Sequence, residues 1–156
     1  MFSHGIPHRM LWLIGVAVVA VGGLLAVQPL LNARVAGAAG HPVYGALFSV
    51  AVSTLTLLLA ALLLRLPFPE TRAVGALPPW TWTGGIIGAL VVVSALIATP
   101  RLGAATTVAL FIVAQLAASL VLDHFGALGV PVRPIDLPRT LGVACLVAGV
   151  LLIRGR

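Results

Sequence analysis

Apolar residues in this chain come in long unbroken runs, and polar residues interrupt the runs at only a few places. At 1.5 Å per residue, about 20 apolar residues in helix cross a hydrocarbon core of about 30 Å, so each run predicts a membrane helix. The predicted spans cover about 10–31, 43–66, 82–98, 101–124 and 139–153, which makes 1–156 a single all-α, polytopic membrane domain of five transmembrane helices. The fourth span organises the rest. Thr99 is placed to cap it and Pro100 to take its first position, where a missing N–H does no harm. Within it Gln115, Ser119 and Asp123 recur at i, i+4 and i+8, so an amide, a hydroxyl and a carboxylate share one narrow face. Lipid cannot hydrogen-bond such groups, and the face must look at protein, water or a ligand.

A second polar face ends span one. Gln28 and Asn32 are again four apart, Pro29 between them removes the N–H that the Leu25 carbonyl would accept, and Arg34 follows at once. The run from Met10 to Leu31 is too long for the apolar part of a cleaved signal and is read as a span. In span two Ser49, Ser53 and Thr56 share a face, as hydroxyls that glue helices or bond back to their own carbonyls do. Small residues suggest close helix packing at Gly22 in span one, at the Gly84 and Gly88 pair in span three, and at Gly142 and Gly149 in span five. Trp82 sits at the start of span three, as an interfacial aromatic does. Only Thr99-Pro100 and their flanks separate spans three and four, which predicts a tight hairpin there. Asp136 is placed to cap the last span, with Pro138 in its first turn.

Composition narrows the class. The chain is 61% hydrophobic and 8% charged, against about 25% charged in soluble domains, and no water-soluble fold accommodates that. The formal charge of +6 comes from nine scattered arginines with no lysine. They sit where apolar runs end, as anchors to lipid headgroups, and no basic patch with interleaved aromatics points to nucleic acid. The single Cys145 excludes an internal disulfide and is read as a packing residue. His4, His8, His41 and His124 are far apart, so no metal and no cofactor is expected.

Five spans put the chain ends on opposite sides of the membrane. Arg9, Arg65, Arg72, Arg133 and Arg139 then lie on one side, and Arg34, Arg101, Arg154 and Arg156 on the other. Five against four sets no orientation, so the chain is expected to insert both ways round and to pair as an antiparallel dimer.

The pattern Gln28-Pro-Leu-Leu-Asn32-Ala-Arg34, His41-Pro, Trp82-Thr-Gly-Gly-Ile-Ile-Gly88, Pro100-Arg-Leu-Gly103-Ala-Ala and Gln115…Ser119…Asp123-His-Phe-Gly126 resembles the YdcZ-like family over nearly the whole chain. These are small bacterial inner-membrane proteins of the drug/metabolite transporter superfamily. The resemblance implies five spans per unit, two units in opposite orientations and transport of small molecules by alternating access. Two positions depart from the pattern, Ala114 before Gln115 and Ser53 where glycine is usual, and both changes are small.

The expectation is a secondary transporter of small organic solutes working between two oppositely oriented protomers. Gln28, Asn32, Gln115 and Ser119 are its candidate substrate-binding residues, with Trp82 at the rim. Arg34, Asp123 and His124 are candidate gating or proton-linked residues, Arg34 or Asn32 of one protomer approaching Asp123 of the other. Amides and hydroxyls suit a polar solute read by hydrogen bonds, and no carboxylate lies deep in a span to exchange protons for a cation. A membrane accessory or scaffold subunit, whose polar faces only glue helices, is the alternative. An enzyme acting on a lipid or quinone is disfavoured by the absence of paired carboxylates.

Overall fold

The computed structural model describes residues 8–154; His4 and Arg156 lie outside them. Six α-helices follow in order: α1 (His8–Ala39), α2 (Pro42–Leu63), a short α3 (Thr71–Gly75), α4 (Thr83–Leu102), α5 (Ala104–Phe125) and α6 (Leu137–Arg154). Single 3-10 turns precede α4 (Pro79–Trp82) and follow α5 (Ala127–Gly129). Among the described residues α1, α2, α4 with its leading turn, and α5 are long and apolar enough to cross a membrane, and α6 is a shorter apolar helix. Its 18 residues span about 27 Å, just under a typical core.

Two helix boundaries differ from the sequence expectation, each for a backbone reason. Span one does not stop at Leu31: α1 runs on to Ala39, through Pro29 and past Arg34. The alanine-rich tail favours helix, and the chain turns only at Gly40, whose φ of 81° an L side chain resists. Nor does a helix start at Thr99-Pro100. Both residues lie in the last turn of α4, and the break falls at Gly103, with φ of 84°. Proline costs a helix one bond, while glycine in the left-handed region reverses the chain, so glycine decides. The long connection after α2 also holds a helical turn, α3, where a plain surface loop is the simplest reading.

The chain divides into two compact units, Met1–Ile97 and Ala98–Arg156, with α4 crossing the division. In the first unit α1 and α2 form a hairpin closed by Gly40 and His41. His41 caps α2, its Nδ1 accepting the Val43 N–H at 3.2 Å, and Pro42 begins the helix. Ala36, Ala46 and Leu96 are buried together, with Ala33, Val92 and Val93 packed against them. Gly45 makes that approach close: a Cβ there would lie 2.7 Å from the Ala36 Cβ and 2.9 Å from the Asn32 carbonyl oxygen. Gly22, Gly84, Gly88, Gly142 and Gly149 carry no such contact, since a Cβ on any of them meets open space. Within its own unit, none of them sits at a close contact like that of Gly45.

In the second unit α5 packs on α6. Asp136 caps α6 as its position predicts, accepting the Arg139 N–H at 2.9 Å, with Pro138 in the first turn. Thr106, Thr107 and Val150 are buried. Large apolar side chains on every long helix stay exposed, and a hydrocarbon solvent tolerates that where water does not.

Candidate functional site

The polar residues of the apolar helices meet two different fates. In the first unit Asn32 donates from Nδ2 to the Ser49 hydroxyl across the α1–α2 hairpin at 2.9 Å. Both partners sit one helix turn from the Gly45 contact, where the backbones come closest. Ser53, Thr54 and Thr56 donate back to the carbonyls of Ser49, Val50 and Val52, so the hydroxyl face of α2 satisfies itself. Gln28, one turn before Asn32 and half-buried, makes no side-chain hydrogen bond within its unit among the described residues. Pro29 leaves the adjacent Leu25 carbonyl without its helical donor. Arg34 is exposed on α1, and Trp82 is exposed at the end of the 3-10 turn leading into α4.

In the second unit the i, i+4, i+8 face of α5 is present, and its three members differ. Gln115 and Ser119 are exposed and have no side-chain partner within the unit among the described residues. Gln115 stands near the middle of α5, about 15 Å from either end, the depth at which an unpaired amide is most costly in lipid. Asp123, in the last turn, is paired within its own chain: its Oδ2 lies 3.5 Å from a guanidinium nitrogen of Arg139. Arg139 also donates to the Arg133 carbonyl at 3.3 Å. The Arg133 N–H donates to the Asp123 carbonyl at 2.8 Å, and the Ile135 N–H to His124 Nδ1 at 3.1 Å. The end of α5 thus holds the segment 130–136 by main-chain bonds from both sides of one helical turn. Gly126, with φ of 61°, turns the chain there, and Val132 packs where its side chain would be.

Sequence reasoning did not assign four of these features. Ser49 was visible only as one of several hydroxyls, and Arg139 only as an interfacial arginine, because which residues a loop brings back to a helix end is not encoded in spacing. Gly45 carried a signal, a glycine in the first turn after a capped, proline-led start, where a hairpin is narrowest. Thr99 is 5% exposed with an unpartnered hydroxyl, while Thr107 in the next helix bonds the Gly103 carbonyl at 2.9 Å. Among the described residues no three His, Cys, Asp or Glu side chains converge as a metal site would need.

Against known proteins, residues 12–152 match the family model described as "Putative inner membrane exporter, YdcZ". Among curated proteins the chain is 36% identical over 77 residues to the inner membrane protein YdcZ of Escherichia coli (strain K12), covering 49% of this chain and 51% of that protein. The aligned stretch thus spans about half the length of this relative. No solved structure matches. The family model takes in nearly all of the chain and its apolar helices have membrane length, so the chain belongs to the YdcZ family and is a multi-pass protein of the bacterial inner membrane.

Proposed function

We propose that the protein is a secondary transporter of small organic solutes, not an enzyme, and that the solute passes by alternating access between two oppositely oriented protomers. The carrying observation is the exposed, unpaired Gln115 in the middle of an apolar helix, with Ser119 one turn on. A mid-span amide left without a partner in its own unit, among the described residues, needs a second copy, another helix or a solute to match it. The exporter description of the family supports transport, and the even division of arginines supports insertion in both orientations. Gln28 beside the freed Leu25 carbonyl supplies a second polar station, with Trp82 at the rim. Such groups read a polar, weakly charged solute by hydrogen bonds. Gly22, Gly84, Gly88, Gly142 and Gly149, open within their own units, suit contact with the second copy.

On this reading Arg34 of one protomer competes with Arg139 for Asp123 of the other, and exchange of that partner gates one end of the pathway. The 3.5 Å pair, about 30% exposed on both sides, is weak enough to exchange. Gln115→Leu is expected to abolish solute flux in proteoliposomes while the variant still elutes as a dimer in detergent. Wild-type flux in that variant removes Gln115 from the site. The Asn32–Ser49 bond favours a second reading for span one alone, in which its polar face is helix glue, as in an accessory subunit.

A further inference from the structure

The segment 130–136, Val-Pro-Val-Arg-Pro-Ile-Asp, connects α5 to α6, and its two prolines remove two of its donors. Of the amides that remain, Arg133 is held by the Asp123 carbonyl and Ile135 by the His124 ring. These two bonds, with Val130 donating to Ala127, are what fastens the segment to the helix end. They are not equivalent. A carbonyl accepts at any pH, whereas imidazole Nδ1 accepts only while it carries no proton. Since Nδ1 is the acceptor here, the neutral ring holds its proton at Nε2.

We infer that His124 is a proton-sensitive latch: its neutral imidazole holds segment 130–136 on the end of α5 through the Ile135 amide, and its protonated form releases that segment. The step balances simply. A proton from water adds to Nδ1, the ring becomes a donor facing another donor, the N–H···N bond breaks, and the Ile135 N–H passes to water. Protonation therefore sets the bond: it is present while Nδ1 is bare and lost once Nδ1 holds a proton, so its loss follows falling pH.

The charges that face the ring are paired or balanced. On α5 the neighbouring Asp123 carboxylate is engaged by Arg139 of α6, and the Phe125 ring meets the imidazole edge-on at 4.9 Å. From the segment itself Arg133 and Asp136 contribute one charge of each sign, and Asp136 is occupied in capping α6. The ring is exposed in the last turn of α5, at the end of the apolar run, where the membrane interface can supply a proton. Release has a mechanical consequence, because the freed amide lies one residue before the Asp136 cap and four before Arg139, the partner of Asp123. The latch therefore links external pH to the candidate gate pair.

The inference goes beyond the transport reading and is tested without any solute. Hydrogen–deuterium exchange of the purified protein in lipid nanodiscs, corrected for intrinsic rates, gives the protection of a peptide spanning 131–136. Loss of one hydrogen bond corresponds to about a fivefold change, so protection in the wild type is expected to fall about fivefold or more between about pH 7.5 and about pH 5. His124→Asn places an oxygen where Nδ1 stands and does not titrate, so the fall is expected to vanish. His124→Ala is expected to show the low protection already at about pH 7.5. Unchanged wild-type protection across that range, or an equal fall in His124→Asn, overturns the latch. Neither result bears on whether Gln115 contacts a solute.

Discussion

The α1–α2 hairpin and the α5 helix carry the same kind of sequence signal and use it in opposite ways. Each has an amide followed four residues later by another polar side chain in an otherwise apolar helix. In the hairpin the second member is satisfied internally: Asn32 bonds Ser49 at 2.9 Å beside Gly45 and the α2 hydroxyls bond their own carbonyls, while Gln28 stays without a side-chain partner in its unit among the described residues. On α5 the mid-span amide and hydroxyl stay exposed, and only the terminal Asp123 finds a partner, Arg139 at 3.5 Å. The difference teaches that polar spacing in a membrane helix marks a demand for hydrogen bonds without saying who meets it. Where a glycine lets a neighbouring helix within reach, the chain meets the demand itself. Where none does, the polar face stays without a partner in its own unit among the described residues.

The comparison can be broken at its closest point. Gly45→Leu drives side-chain atoms into the Ala36 Cβ and the Asn32 carbonyl, one of them backbone that cannot swing aside. Overpacking of this kind costs about 1–3 kcal/mol, so a clear drop in the thermal midpoint and in folded yield is expected, measured by fluorescence-detected size exclusion after heating. Unchanged stability would mean that the hairpin is looser than its geometry.

A smaller effect sharpens the contrast. In a double-mutant cycle of Asn32→Ala and Ser49→Ala, read by steric trapping or urea unfolding in micelles, a coupling of about 0.6 kcal/mol is expected, as for other interhelical bonds in membranes. The same cycle with Gln115→Ala and Ser119→Ala, one turn apart on α5, is expected to give no coupling, because neither side chain has a hydrogen-bond partner within the unit among the described residues. The smallest effect belongs to the pair at the α5 end. A cycle of Asp123→Asn and Arg139→Gln is expected to give about 0.2–0.5 kcal/mol, falling with added salt, because both side chains are partly exposed. A larger, salt-independent coupling would show that the pair is a fixed structural bond and would count against a partner-exchanging gate.

Much of the fold was legible because its physics is local. Apolar run length, a capping Asp136 and a helix-starting Pro138 act within a few residues, and α6 starts where they say. The errors came where two local breakers competed. Span one was expected to end at about Leu31 and Pro100 to begin a helix, yet α1 runs on to Ala39 and Pro100 lies inside α4, and the turns fall at Gly40 and Gly103, where φ is positive. A proline inside a membrane helix is tolerated where neighbouring groups re-satisfy the carbonyl it frees, whereas a chain reversal needs the positive φ that glycine makes easy.

By itself the sequence determined that this chain is a bundle of membrane helices with a few polar groups it must justify, since run length and composition depend on neither register nor neighbours. It also determined the family, through motifs spread from one end of the match to the other. Only the tertiary structure decided which polar groups are already satisfied. Asn32 meets Ser49 and Asp123 meets Arg139 through chain reversals 17 and 16 residues long, while Gln115 meets nothing in its unit. The reason is physical: hydrogen bonds between side chains act over about 3 Å, and which distant residues come within that distance depends on where the chain turns and how closely the backbones pack.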